Sequence, residues 1–452
     1  MSRKIQLFIT AVFMVAAVNA QTFSIEDVTY NITNTVQKQV EVTSYTGTRN
    51  SVIISPTVVN TNITYTVTKI AASAFQDKGV QYVYIPSTVT AIADSAFRHT
   101  NLKAFTIPSG VRTFGNHVFT TATVPPDTYS FELTYLSTVP PYSFSNVWMF
   151  HYPVQNNLTT LIVPEGERQR YVDLSAGNFK EVKEMFTIDG IRYLKTSSST
   201  VEVRGYEGTA RNHTIPASVS FEGTSYAVTK IAYFAYVHEN LSSLTIPANL
   251  TKIENQAFYK NKNLTQVQSM RTSPFVLGDV FDNKQNINLT IPAGTTGSYT
   301  SKGWTGFRSI TEIFTQGNYN YTVLDRQALT VEITAYSGSE TTLSLPETVA
   351  YGGRTYTVKK VAANVFKNKN LTQVILNTSL TAIGNHAFYS NPSLNQVIAL
   401  MPTPFVLGQV FDNKQNIDFF LPVDTKAAYE AAGWTGFKSI TEVFAQGDYN
   451  YE

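Results

Sequence analysis

Short apolar bursts recur along this chain at a fixed distance. IPSTVTAIADSAF at 85–97 is followed by IPSGVRTFGNHVF at 107–119, 22 residues on. In NLKAFTIP, Leu102, Phe105 and Ile107 predict a short strand with these side chains inward, while Ala104 and Thr106 point out. Pro108 has no N–H and should end the strand. Val111 and Phe114 turn the chain back into the core, and Val118-Phe119 begins a short helical or 3₁₀ turn whose ring fills the space between coils. Asn101, Asn240, Asn263 and Asn370 precede the strand leucines, where a buried amide would satisfy backbone groups of the next coil.

The closing aromatics set the period. They are Tyr236, Phe258 and Phe281, then Phe366, Phe388 and Phe411, spaced 22 and 23 each time. A unit of this length cannot bury its apolar edge alone, so neighbours must stack into a solenoid of leucine-rich type. A longer repeat is superimposed. FVLGDVFDNKQNI at 275–287 returns as FVLGQVFDNKQNI at 405–417, and GWTGF at 303 returns at 433, each offset by 130. The expected organisation is a leader over 1–20, modules over 21–186, 187–316 and 317–446, and a tail at 447–452 resembling the start of a further module. The fold class is therefore a β-rich α/β solenoid, with repeats of about 22–23 residues in three tandem modules.

Two elements interrupt the plain coils. VAYGGRTYTVKKV at 349–361 predicts an inserted hairpin turning at Gly352-Gly353. LPVDTKAAYEAAGWTGFKSITEVF predicts a module-closing cap, with Asp424 as helix N-cap, a helix over 425–432 and Gly433 as its C-cap. Trp434 and Phe437 would then pack on the last coil. The matching AGTTGSYTSKGW of the second module is a poorer helix former.

Residues 1–20 read as an export signal. Arg3 and Lys4 precede an apolar run to Val18, and Val18-Asn19-Ala20 supplies small residues for cleavage after Ala20. The run is too short to span a bilayer with margin, an uncleaved anchor being the alternative reading, and no later segment predicts a transmembrane span. Removing the leader leaves the basic and acidic residues balanced, which does not favour nucleic acid as a partner. The chain has no cysteine, which excludes disulfides, thiolate metal sites and a cysteine nucleophile, and fits an exported bacterial protein.

No catalytic motif emerges. The histidines form no H-E-x-x-H, and G-x-S-x-G, P-loop and dinucleotide patterns are missing. His117 and His386 share a repeat slot before the closing aromatic and read as coil filler. Asp282-Asn283 lacks the further carboxylates of a calcium loop. Neither a cofactor nor a metal site is expected.

The motif IPSTVTAIADSAF and the closing LPVDTKAAYEAAGWTGFKSI resemble the BspA-like (Treponema-type, LRR_5) leucine-rich repeat proteins of Bacteroidetes, over nearly all of 21–446. The resemblance implies a secreted or surface-exposed bacterial protein with a role in adhesion. It carries over no ligand residues. The slot after AF that often holds Cys in the family has none here, and a recognisable C-terminal sorting domain is lacking.

What remains is surface. The outward positions of the predicted strands form rows that include Tyr82, Tyr84, Ala104, Thr106, Thr160 and Ile162, then Ser243, Thr245, Gln266, Gln268, Asn288 and Thr290, then Gln373, Ile375, Gln396, Ile398, Asp418 and Phe420. Of these, Tyr82, Tyr84, Thr106, Gln266, Gln268, Gln373, Ile375, Gln396, Ile398 and Phe420 are the candidate ligand-binding residues. The expected function is a non-enzymatic, monomeric adhesion protein that holds a protein ligand on its strand face. Glycan binding through the paired tyrosines and a self-associating structural spacer are the alternatives.

Overall fold

The computed structural model describes residues 21–120, 130–138, 159–175 and 179–443. The expected leader at 1–20 and tail at 447–452 lie outside them, as does His151. The chain forms two compact units, one running to Ser198 with Glu202–Gly205, the other comprising Ser199–Val201 and the chain from Tyr206.

Both units are built from coils whose strands pair in parallel. In the first unit Ser51–Ile53, Tyr82–Tyr84, Ala104–Ile107, Phe131–Tyr135, Thr159–Pro164 and Glu181–Ile188 follow one another in that order. In the second unit one run is Asn212–Thr214, Ser243–Ile246, Gln266–Ser269, Asn288–Pro292 and Ser309–Gln316. Another is Thr342–Ser344, Gln373–Leu376, Gln396–Ala399, Asp418–Pro422 and Ser439–Val443. The strand Ala104–Ile107 stops before Pro108, and Leu102, Phe105, Ile107, Val111 and Phe114 are all buried as the alternation requires.

The closing aromatics form the spine of the stack. Phe75 stacks on Phe97 at 5.0 Å, Tyr236 on Phe258 at 4.9 Å, Phe366 on Phe388 at 5.1 Å and Phe388 on Phe411 at 5.3 Å. These rings are buried, and each should be worth about 3–5 kcal/mol against truncation to Ala. In the second unit one core runs unbroken from Ala293 to Trp434.

The segment around each ring is not the helical or 3₁₀ turn that Val118-Phe119 suggested. Positive φ recurs two residues before the ring, at Ser73, Ser95, His117, Gln256, Asn364 and His386, and two after it, at Asp77, His99, Lys260, Asn368 and Ser390. Alternate N–H groups thereby turn toward the next coil. Ser95, Phe97 and His99 donate to the carbonyls of Asn116, Val118 and Thr120 at 2.8, 3.0 and 2.6 Å. The left-handed backbone disfavours bulky β-branched residues, which explains the Ser, Asn and His of these slots. His117 and His386 are there for their backbone, and both stay partly exposed.

The asparagine ladder is displaced from its expected place. Asn101, Asn240, Asn263 and Asn370 are exposed. The buried amides belong to Asn261 and Asn391, and to Asn283 and Asn413. Asn261 Nδ2 donates to the carbonyls of Tyr236 at 2.7 Å and Phe258 at 2.9 Å, while its Oδ1 accepts the Leu241 N–H at 3.0 Å. Asn391 repeats this with Phe366, Phe388 and Leu371. Only a residue close behind the ring lies inside the coil, whereas the residue before the leucine is already at the outer margin.

The hairpin forms as expected from Thr348–Tyr351 and Arg354–Val361, with Gly352 and Gly353 both at positive φ. The closing helix is Lys426–Ala431, and its counterpart Thr296–Ser301 forms despite its poor propensity. Gly433 takes the left-handed C-terminal position. Asp424, however, is not the N-cap, since it sits at φ 64 before Thr425. The helix N–H groups of Thr425 and Lys426 are satisfied by Glu442 Oε1 at 3.0 and 2.9 Å. Glu312 does the same for Thr296 at 3.1 Å, and Glu184 for Arg168 at 3.0 Å. A carboxylate from the following strand therefore caps each closing helix, which local sequence rules cannot see.

Candidate ligand-binding face

The parallel registers turn the outward positions into straight rows. In the first unit Ser51, Tyr82, Ala104, Glu132, Thr160 and Glu181 form one row. Ile53 lies beside Tyr84, and Thr106, Thr134, Ile162 and Lys183 continue along the second row. Parallel strands lie about 4.8 Å apart, so neighbouring side chains touch.

The face is not uniformly open. Tyr82 and Tyr84 are half-buried and Thr106 is exposed. Thr160 and Ile162, expected outward and accessible, are buried. Ile162 packs with Met185, Leu194 and Leu136, so this end of the sheet is covered. Glu132 receives Arg204 at 2.9 Å, and Glu202 is bonded to the same guanidinium. Sequence periodicity placed these residues on the correct side of the strand but did not reveal the segment folded over them.

In the second unit the rows run Asn212, Ser243, Gln266, Asn288 and Ser309, and Thr214, Thr245, Gln268, Thr290 and Thr311. Gln266 is exposed and Gln268 half-buried. The corresponding later rows are Thr342, Gln373, Gln396, Asp418 and Ser439, and Ser344, Ile375, Ile398, Phe420 and Thr441. Gln373 donates its side-chain amide to Gln396. Ile375 and Phe420 are half-buried, but Ile398 between them is 5% exposed and contributes little accessible surface. Asp418 accepts the Ser439 hydroxyl at 2.6 Å and pairs with Lys438 at 2.9 Å, which together hold its carboxyl below the usual range.

Chemistry-bearing groups elsewhere do structural work. Asp282 Oδ2 accepts the Lys260 N–H at 3.1 Å, and Asn283 Nδ2 donates to the carbonyls of Asn261 and Leu264 at 3.1 and 3.2 Å. Among the described residues no three of His, Asp and Glu converge as metal ligands. His213 is buried against the Tyr236 hydroxyl at 3.1 Å, and burial pushes its pKa down to about 4.

One feature of the outer margin escaped sequence reading. KNKNLTQV occurs unchanged at 260–267 and at 367–374, and the lysines of DNKQNI recur at Lys284 and Lys414. The signal was present as a second verbatim repeat, at an offset of 107 that does not match the module length.

The profile of the BspA type leucine rich repeat region matches six copies within residues 54–162, 228–334 and 354–427, more than half of the chain. The protein belongs to that family, and its fold is a β-rich solenoid of leucine-rich repeats. Similar solved structures include a leucine-rich cell surface protein of Faecalibacterium prausnitzii, 17% identical, covering 89% of each chain with a TM-score of 0.25. The pneumococcal vaccine antigen PcpA is 11% identical over 95% of this chain and 99% of its own, with a TM-score of 0.23. A leucine-rich repeat protein of Bacteroides ovatus is 15% identical over 88% and 99%, with a TM-score of 0.18. No curated protein matches the sequence. Among the described residues no helix is long and apolar enough to cross a membrane.

Proposed function

We propose that this is an exported adhesion protein that binds a protein ligand on the outward rows of its parallel strands and catalyses no reaction. The observation that carries the reading is an internal one. Between 275–287 and 405–417 one letter of thirteen differs, and GWTGF follows unchanged. Between these blocks NLTIP at 288–292 becomes DFFLP at 418–422. The inward pair Leu289 and Ile291 is replaced by the equally apolar and buried Phe419 and Leu421. The outward pair changes character, from Asn288 and Thr290 to Asp418 and Phe420. Thr245 likewise corresponds to the half-buried Ile375. The scaffold is held while its face is rewritten, as expected of a surface whose chemistry is used for recognition.

Export by the leader, with cleavage after Ala20, belongs to the same reading. Binding of the full chain to an array of immobilised extracellular matrix proteins tests it. Ile375→Thr/Phe420→Thr, which restores the other module's chemistry, should weaken the recovered interaction about tenfold. Equal binding by that variant, or recovery of no protein partner, would sink the proposal. A glycan array separates it from sugar binding at Tyr82 and Tyr84.

A further inference from the structure

Three cations on successive coils line the margin where the chain enters the strand face of the second unit. Lys262 precedes the strand Gln266–Ser269, Lys284 precedes Asn288–Pro292, and Arg308 precedes Ser309–Gln316. The loops are tied together. Asn283 Nδ2 reaches the Asn261 carbonyl at 3.1 Å, and the Arg308 N–H donates to the carbonyls of Lys284 and Ile287 at 3.2 and 2.9 Å. Lys262 and Lys284 each lie four residues before the paired positions Gln266 and Asn288, so these two charges sit on adjacent coils about 4.8 Å apart, and Arg308 directly precedes the next paired position, Ser309. Lys262 and Arg308 are exposed, and Lys284 is half-buried.

Among the described residues none of the three is held in an ion pair, although Asp282 stands in the same loop. The equivalent of Arg308 is Lys438, which pairs with Asp418 at 2.9 Å. In the earlier copy Asn288 takes the aspartate's place, and its Oδ1 accepts only the Ser309 hydroxyl at 2.8 Å. Among the described residues no acid pairs with Lys262, Lys284 or Arg308. The nearest carboxylate along the loop, Asp282, bonds to the Lys260 backbone. His238, close by, is held well below its ordinary pKa, first by burial and then by Lys260 and Lys262, with Asp282 opposing. Exposed amides accompany the cations, since Asn263 Nδ2 donates to Asn240 Oδ1 at 2.6 Å and Asn286 is exposed on the next coil.

We propose that this margin binds an acidic polysaccharide. Its sulfate or carboxylate groups meet Lys262, Lys284 and Arg308, and its hydroxyls meet Asn240, Asn263 and Asn286. Cations set among exposed amides match a polymer that carries both charge and hydroxyl groups. The positions between the cations present amides where a single-stranded nucleic acid site would offer stacking rings. The site adjoins the outward row at Asn288 and Ser309 and includes neither Ile375 nor Phe420.

The test uses the full chain and fluorescent dextran sulfate at low ionic strength, with unmodified dextran and a dT oligonucleotide alongside. Binding should be confined to dextran sulfate and fall steeply with added salt. Lys262→Gln/Lys284→Gln/Arg308→Gln should weaken it about tenfold. Arg354→Gln/Lys359→Gln/Lys426→Gln removes the same charge elsewhere and should change it less than about twofold. Asn288→Asp, which rebuilds the ion pair of the later copy, should weaken it severalfold by itself. The assignment fails if both triple variants lose binding equally, if the first binds as wild type, or if the oligonucleotide binds as tightly. Ile375→Thr/Phe420→Thr should leave this binding unchanged, so its failure is distinct from that of the protein-binding face.

Discussion

The indole Nε1 of Trp434 donates to the carbonyl of Phe405 at 2.8 Å, and Trp304 does the same to Phe275 at 2.9 Å. Both indoles are fully buried, each edge-on to the phenylalanine ring at 5.4 or 5.5 Å. This is why FVLG and GWTGF recur as a pair. The first supplies a backbone acceptor and a ring wall, and the second supplies the indole that closes the coil. Leu407 N–H, donating to Ala432 at 2.8 Å, adds a backbone tie, repeated by Leu277 and Lys302.

Trp434→Phe keeps most of the apolar volume but leaves the Phe405 carbonyl unpaired. It should cost about 1–3 kcal/mol, and Trp434→Ala about 3–5 kcal/mol. Urea denaturation followed by the remaining tryptophans measures both. Equal, negligible losses would show that the indole is a filler rather than a clasp.

The buried amide separates the two placements of the ladder. Asn261→Ala removes four backbone partners inside the coil and should cost about 3 kcal/mol. Asn263→Ala, two residues on at the exposed margin, should stay within about 0.5 kcal/mol of wild type. Thermal melts of the pair, and of Asn391→Ala beside Asn370→Ala, test the distinction.

What was legible in the sequence was whatever depends on periodicity. Phe258 and Phe388 lie in the stack because an apolar ring every 22 or 23 residues has nowhere else to go. Pro108 and Gly352-Gly353 act through their own backbones and were equally readable. Three things were not. Asn261 and Asn263 both follow Phe258 closely, and only the left-handed turn at Lys260 decides which amide points inward. Glu442 caps a helix from 16 residues away, beyond any local capping rule. Ile162 alternates like a surface residue, but Met185 and Leu194 cover it from a strand pair with no marked spacing to it.

Tyr45, Tyr206 and Tyr336 each fold over the glycine two residues on. The hydroxyl of Tyr45 accepts the Arg49 N–H at 3.1 Å, and that of Tyr206 accepts the Ala210 N–H at 3.0 Å. Tyr336 instead donates to Glu340. A Cβ added at Gly47, Gly208 or Gly338 would collide with the tyrosine ring and hydroxyl. Gly208→Ala and Gly338→Ala should therefore each destabilise the second unit by about 1–3 kcal/mol. Gly223→Ala, with open space around it but φ at 77, should cost less than about 2 kcal/mol through backbone strain alone. Denaturant midpoints rank the three.

The buried His213 gives the second unit an acid-sensitive coil. Its pKa falls from 6.5 to about 4 because burial disfavours the imidazolium, and its Nε2 faces only the Tyr236 hydroxyl. Above about pH 6.5 the group is neutral whether folded or unfolded and stability does not depend on it. As pH falls from there toward 4 the unfolded chain takes up a proton that the folded chain refuses, so stability declines, and below that the loss is complete. The later copy contains the control, because Leu343 and Phe366 occupy the two positions and are both buried. His213→Leu/Tyr236→Phe should lessen the dependence of unfolding free energy on pH between 6.5 and 4, leaving the share contributed by His238 and the carboxylate-driven loss at lower pH. Urea unfolding at half-unit intervals of pH measures the slope. A double variant that retains the wild-type slope would place the acid sensitivity elsewhere, with His238 the next group to replace, since burial also pushes its pKa down to about 4.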